Sequence, residues 1–257
     1  MTRRSFTAIA AAAPLMGAAP EKIRDAMIGS GHGHAASKIR ALQSMPEYEF
    51  AGLCRPDKDD PAIGEVFKSV RAVSLKEVLE DRSIELVAAE SADAERNLKY
   101  AQLSIDAGKF VHLDKPPGAS LSGLRKLLAD AKERKRIVQM GYQWRYHPAM
   151  QAVVEAARNG WLGRIYRFRA SIDKLVLEDE RRYLARFRGG LMFSEGCHLI
   201  DRAVAVLGNG FCVEVQSRVT SRTAFWARES PPGMLTQSSS VFCGVSAGDG
   251  ITMGAPS

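Results

Sequence analysis

Ile23-Arg24-Asp25-Ala26-Met27-Ile28-Gly29-Ser30-Gly31-His32-Gly33-His34 is the stretch that decides the fold. Its first six residues predict a short strand, which runs directly into glycines, and Ala35 to about Met45 then predicts a helix. Strand, glycine turn, helix is the context that a dinucleotide fingerprint requires. Gly29 permits the tight turn, and Gly31 lets the backbone approach a diphosphate. Ser30, His32 and Gly33 complete the loop, and the helix start offers free N–H groups and positive partial charge to the phosphates. His34 stands where the fingerprint has its third glycine, with Gly33 one residue early, so close helix-to-strand packing is not expected at that point.

Outward from this stretch, strands and helices alternate. Strands are expected at Glu49–Cys54, Arg71–Val73, Ile84–Ala89, Phe110–Leu113 and Ile137–Gly141. Helices are expected at Leu75–Leu79, about Asp93–Ala107 and Leu121–Arg134. Such alternation implies an α/β fold with a Rossmann, doubly wound parallel sheet, whose ligand lies at the carboxyl ends of the strands. About 20 residues past the glycines, where such folds place an acidic residue for the adenosine ribose, the chain has Arg55, then Pro56, Asp57 and Lys58. A guanidinium cannot accept a hydrogen bond from a ribose hydroxyl but pairs bidentately with a 2′-phosphate. The expected cofactor is NAD or NADP, with a lean toward NADP from Arg55 and with Asp57 as the competing ribose acceptor.

The 257 residues, 46% hydrophobic and 25% charged, suffice for a real core and exclude disorder, collagen and a disulfide-stapled miniprotein. No apolar run reaches the roughly 18 residues of a membrane span, so no stable membrane insertion is expected. The net charge of +7 is scattered among acidic residues instead of forming a stripe, which argues against nucleic acid. Cys54, Cys197, Cys212 and Cys243 show no CxxC pair and no ligand spacing with histidine; they read as small hydrophobes, and no metal site is expected. Thr2-Arg3-Arg4-Ser5-Phe6, followed by the small apolar stretch Thr7 to Ala19, reads as a twin-arginine export signal over residues 1–19, implying a periplasmic or extracytoplasmic protein.

At Asp114-Lys115-Pro116, after the expected strand Phe110–Leu113, the chain resembles the glucose-fructose oxidoreductase and inositol dehydrogenase (Gfo/Idh/MocA) family, whose usual signature there is Glu-Lys-Pro. Ala107-Gly108-Lys109, Gly141-Tyr142-Gln143-Trp144-Arg145-Tyr146-His147-Pro148, Gly189-Gly190 and Gly196-Cys197-His198-Leu199-Ile200-Asp201 resemble family segments in the expected order, over about residues 22–208. Lys115 can be argued from its own chemistry. A lysine at a strand's carboxyl end beside a nicotinamide can hold and polarise a substrate oxygen, and partial burial can lower its pKa enough for proton transfer. The competing reading is a strand-end lysine paired to Asp114. The resemblance implies that Lys115 lies between nicotinamide and substrate, that His198 is the catalytic histidine, and that Gln143 and Arg145 stand near cofactor or substrate. It also implies that Tyr146 and His147 could line a sugar pocket. Many members carry an acidic residue four positions before that histidine; this chain has Ser194 there and Glu195 at three, so Glu195 is the candidate substitute. Glu90-Ser91-Ala92 replaces the family's Thr-Pro-Asn type turn on the nicotinamide side.

The organisation expected is a Rossmann domain at 22–143 followed by an incomplete α+β substrate domain at 144–257. That domain opens with a helix around Met150–Arg158, a strand around Ile165–Ile172, a basic loop Arg181–Arg188 and a helix Leu191–Leu207 carrying His198 beside Ser194, Glu195 and Asp201. After Gly208 the text changes character: lysine is absent, serine is frequent, strand periodicity is poor beyond Cys212–Val219, and a truncated or frame-shifted product is expected. The function expected is an NAD(P)-dependent oxidoreductase passing a hydride between nicotinamide and a sugar, polyol or sugar derivative. The alternatives are an NAD-dependent glycoside-cleaving relative and a catalytically inactive sugar- or nucleotide-binding protein. A small carbohydrate or polyol is the expected partner, and a homo-oligomer is compatible with the sequence.

Overall fold

The computed structural model describes residues 21–165, 167–187, 190, 192–208, 214–222 and 235–244, with the backbone alone described for 173–175, 214–222 and 235–244. The expected export signal at 1–19, Gly189, Cys212 and the expected loops around Pro231-Pro232-Gly233 and at the glycine-rich end lie outside the described residues.

The amino-terminal part alternates as β1 (Ile23–Ile28), α1 (Ala35–Ser44), β2 (Tyr48–Cys54), α2 (Val66–Ser69), α3 (Leu75–Glu80), β3 (Leu86–Ala89), α4 (Ala94–Asp106), β4 (Phe110–Leu113), α5 (Leu121–Glu133) and β5 (Val138–Met140). The five strands are parallel in the order β2-β1-β3-β4-β5. The chain leaves β1 toward β2 on one side and returns to β3 on the other. The crevice outside the β1 and β3 carboxyl ends is therefore the switch point where such sheets bind ligands. Strand residues alternate between faces: Met27, Leu53 and Ala88 pack on Ala35 and Ile39 of α1, while Ala26, Ile28, Val87 and Leu113 pack on Leu98, Ala101 and Ile105 of α4 and Leu127 of α5. Fully buried residues such as Ile28, Val87 and Leu113 each contribute about 1.5–3 kcal/mol. Helix starts are capped where the sequence supplies oxygen: Ser74, Asp93 and Ser120 accept from first-turn N–H groups of α3, α4 and α5.

The second part comprises α6 (Pro148–Arg158), β6 (Arg167–Val176), α7 (Glu178–Leu184), α8 (Cys197–Leu207), β7 (Glu214–Arg222) and β8 (Leu235–Gly244). β6, β8 and β7 form an antiparallel sheet in that order, paired from Arg167↔Gly244 to Val176↔Leu235 and from Glu214↔Gly244 to Arg222↔Thr236. Leu199 and Ala203 of α8 pack with Trp144, Phe168, Ala170 and Ile172.

Four local expectations change. Arg71–Val73 is no strand but a single parallel bridge, Leu53↔Ala72, because Ser74 starts α3 at once. The basic loop at Arg181–Arg188 is half helix: Glu178, Asp179 and Glu180 in the first turn and Arg181 and Arg182 in the last suit the α7 dipole, and Arg182 pairs back to Glu178. The helix carrying His198 opens with a π turn over Met192–Gly196, whose extra residue per turn brings Ser194 and Glu195 inward together. Beyond Val219 the backbone continues as strand to Arg222 and again over Leu235–Gly244, since ladder pairing tolerates serine-rich sequence.

Candidate functional site: the crevice at the β1 and β3 ends

Gly29 turns the chain at φ +88°, and a Cβ there would lie 2.4 Å from the Ser91 amide nitrogen. The loops after β1 and β3 thus touch through a residue that must lack a side chain. The Ser30 and Gly31 N–H groups then point at one oxygen of Asp60, at 2.6 and 3.0 Å. The other carboxylate oxygen accepts from Ser91 Oγ (2.9 Å) and Ala92 N–H (2.8 Å). Asp60 is 2% exposed. Arg55 Nε donates to Ser30 Oγ (3.0 Å), and its Nη2 donates to the Asp60 carbonyl (2.8 Å). Asn97 of α4 holds Ser91 from behind, accepting from its N–H and donating to its carbonyl. Two successive backbone N–H groups converging on an anionic oxygen form an anion nest. The loop therefore fits the diphosphate of a dinucleotide, with the Asp60 carboxylate standing where a phosphate oxygen would.

Beyond the loop lies a buried ionic cluster. Lys38, one turn along α1 from His34, places its ammonium between Glu90 at the end of β3 and Asp114 just after β4. His34 Nδ1 donates to Asp114 (3.1 Å), and His32 Nε2 donates to the Lys115 carbonyl (3.1 Å). Both carboxylates are fully buried. Burial, then the charge of Asp114, pushes Glu90 well above the usual carboxylate range. Burial also raises Asp114, but hydrogen bonds from His32 and His34 and the charges of His32 and Lys38 outweigh it and hold Asp114 well below that range. Burial and the Lys38 charge lower His112 to about 4. His32, His34 and Asp114, and likewise Glu90, His112 and Asp114, bring donor atoms within 4.8 Å of one another, as metal ligands do. The Lys38 ammonium already supplies a positive charge to both carboxylates.

Lys115 follows Asp114, whose carboxylate accepts the Lys115 N–H (2.6 Å). Its side chain turns away from Asp114, and Nζ donates to the Ser194 carbonyl and to Glu195 Oε1, both at 3.2 Å. Lys115, Ser194 and Glu195 line a cavity of about 300 Å³ with Gly31, His32, Gly33 and Tyr183. His198, 3% exposed, stacks on Trp144 with ring centres 5.2 Å apart and meets the edge of Tyr142. Burial, then the Lys115 charge, lowers its pKa to about 4, so the imidazole is neutral near pH 7. Its Nδ1 is buried without a hydrogen-bond partner. The Cys197 thiol is pushed up to about 12 by burial and stays protonated.

Residues 23–142 match the model of the Gfo/Idh/MocA oxidoreductase family with its NAD-binding Rossmann fold. The chain carries the Rossmann domain of the Gfo/Idh/MocA family over those residues. It is 24% identical over 191 residues to the uncharacterized oxidoreductase YdgJ of Escherichia coli (strain K12), covering 73% of this chain and 54% of that protein. It is 27% identical over 197 residues to the D-apiose dehydrogenase of Paraburkholderia graminis, covering 74% and 51%. The solved structure of GenD2 from gentamicin A biosynthesis, a complex with NAD, shares the fold at a TM-score of 0.64 and 20% identity, over 84% of this chain and 62% of that one. The chain spans about half the length of the curated relatives it matches.

Against the Gfo/Idh/MocA expectations, the structure places Gly31, His32, Gly33, Lys115 and Glu195 on one cavity, with Gly29 and Ser30 in the loop after β1, Glu90 buried at the end of β3 and His198 three residues after Glu195 in α8. Gln143 and Arg145 do not line that cavity: both are exposed, and Arg145 donates to Asp201 (2.9 Å) of α8. Tyr146 and His147 are exposed as well, and Tyr146 accepts from Gln139. Asp201 is held by Arg145 and Arg202, so neither it nor another carboxylate orients His198 Nδ1. Asp57 accepts from Tyr100 (2.6 Å) and lies 3.8 Å from Arg96. His34 costs the helix no packing, because fully buried Ala35 makes the close contact with the sheet. Sequence reasoning missed Lys38, His112 and Trp144; the four-residue step from His34 to Lys38 and the two-residue step from His112 to Asp114 were the available signals. Asp60 sits among Asp57, Asp59 and Glu65 with nothing to single it out.

Proposed function

We propose that the protein is an NAD(P)-dependent oxidoreductase acting on a CH–OH group of a sugar, polyol or sugar derivative. The observation that carries the reading is Lys115, buried at the carboxyl end of β4 and facing the cavity beside the glycine loop, whose charge acts on a neutral His198 with no hydrogen-bond partner at Nδ1. When bound, the nicotinamide supplies the donor or acceptor of the hydride. The Ser30 and Gly31 amides hold its diphosphate. The Lys115 ammonium donates to the substrate oxygen and stabilises negative charge developing there, while Glu195 fixes its direction. His198 accepts the hydroxyl proton during oxidation and returns it during reduction, and a pKa lowered to about 4 keeps it free to accept. The name of D-apiose dehydrogenase, similar over about half its length, supports a sugar-like substrate.

The cofactor reading extends to NADP. Arg55 uses Nε and Nη2 internally, and a guanidinium has five donors, so it keeps capacity for a 2′-phosphate. Export of the folded protein through the twin-arginine signal at 1–19 belongs to the same proposal; a fusion of that segment to a reporter should reach the periplasm, and its Arg3→Lys/Arg4→Lys variant should not. The direct test of function is mass spectrometry of small molecules released from native protein, followed by nicotinamide absorbance with a panel of sugars and polyols. Turnover lost in Lys115→Ala supports catalysis, whereas a chain that takes neither NAD nor NADP refutes it.

A further inference from the structure

We propose that Asp60 is an internal competitor for the dinucleotide, setting how tightly the chain takes its cofactor through a strap, residues 55–61, that closes the diphosphate crevice. The inference rests on the cofactor reading above. Asp60 makes four hydrogen bonds, two to the loop after β1 and two to the loop after β3. These are the loops between which a dinucleotide must lie, and Asp60 is almost completely buried between them. An anion nest admits one anion at a time, and the strap has already filled this one.

The strap is tied down at more than one point. Arg55 Nε reaches Ser30 Oγ, Arg55 Nη2 reaches the Asp60 carbonyl, and Ser30 Oγ donates to the Pro61 carbonyl at 2.9 Å. Gly31 adds steric closure, since a Cβ there would lie 2.5 Å from Asp60 Oδ1 and 2.7 Å from Pro61 Cδ. A diphosphate approaching the Ser30 and Gly31 amides meets a carboxylate of its own charge sign at the same donors. Binding therefore requires Asp60 to leave, which frees Ser91 Oγ and the Ala92 amide and releases Arg55 from its hold on the Asp60 carbonyl. The guanidinium that the sequence suggests for a 2′-phosphate thus becomes fully available only when the strap opens. Apparent affinity falls by the fraction of molecules with the strap open.

The test is isothermal titration of the full chain with NADH and with NADPH, comparing wild type with Asp60→Asn, which keeps the shape and removes the charge. We expect both dissociation constants to tighten by up to about tenfold, the full gain available if about a tenth of the wild-type molecules have an open strap. Ser91→Ala, which removes one of the four ties, should tighten binding less. A purely structural Asp60 would leave affinity unchanged or weaken it, and either result overturns the proposal. A measurement on wild type alone covers a variant that fails to fold: saturating NADH should raise hydrogen exchange across 56–61, and unchanged or lower exchange there overturns the proposal. Wild-type binding without a gain in the variants sinks the strap and leaves the cofactor reading standing. No binding by wild type and variants alike sinks both.

Discussion

Asp25 lies in the middle of β1, 1% exposed, opposite Phe50 of β2 and Leu86 of β3, and neither carboxylate oxygen has a hydrogen-bond partner. Burial pushes its pKa from 3.8 to about 7. The folded chain therefore holds a proton on this residue over a pH range in which the unfolded chain has lost it. Stability that is complete below pH 3.8 drains away as the pH rises toward about 7, and is constant again above. At 1.36 kcal/mol per pH unit, the loss between pH 5 and pH 8.5 is about 3 kcal/mol. Asp25→Asn keeps the shape, cannot ionise and removes this slope. Thermal melting of both proteins from pH 5 to pH 8.5 should show the variant gaining on wild type by about 6–12 °C over that interval, at about 2–4 °C per kcal/mol for a chain of this size. Taking the difference between the two proteins cancels His112 and His198, which titrate near 4 in both. Parallel melting curves, with a constant offset at every pH, would refute the reasoning.

At the site, Lys115→Met should lower kcat by about 10²–10⁴-fold while leaving NADH binding within a fewfold of wild type, measured by steady-state kinetics and titration. Because burial and the Lys115 charge hold His198 near 4, turnover should persist on acidification and fall only as the pH drops through about 4, where the imidazole gains its proton; an acid limb near 6.5 would show that His198 is not the group involved. Lys38→Met leaves Asp114 ionised and buried without its ammonium and should destabilise the fold by about 3–5 kcal/mol, read from chemical denaturation. A loss under 1 kcal/mol would show that the cluster carries no structural charge balance.

The alternation of strands and helices was legible because buried parallel strands and amphipathic helices leave distinct periods, and the observed boundaries from β1 to β5 fall within a few residues of those expected. The errors lie where periodicity carries little information. Arg181–Arg188 reads as a basic loop until the acidic residues Glu178, Asp179 and Glu180 just before it are taken with it as the first turn of a helix, and the serine-rich β8 is recognised only by its ladder. In the site, Lys115 and His198 were readable from motif and context. Their surroundings were not, because Lys115 pairs with Glu195, eighty residues away, and the stacking of Trp144 on His198 leaves no mark in local sequence. The exposure of Arg145 and its pairing with Asp201 were not legible either, because proximity to a motif does not set which way a side chain faces.

The contact between Gly29 and the Ser91 amide bears on how relatives of this chain should be compared. Because packing alone forbids a side chain at position 29, that glycine would persist in a descendant that had lost every trace of redox chemistry. Its presence is therefore a poor diagnostic of an active enzyme. Gly33, with open space where its Cβ would be, is under no such compulsion. Inference of activity across diverged homologues should accordingly weigh positions 115 and 198 above the glycine signature by which such domains are usually recruited into an alignment.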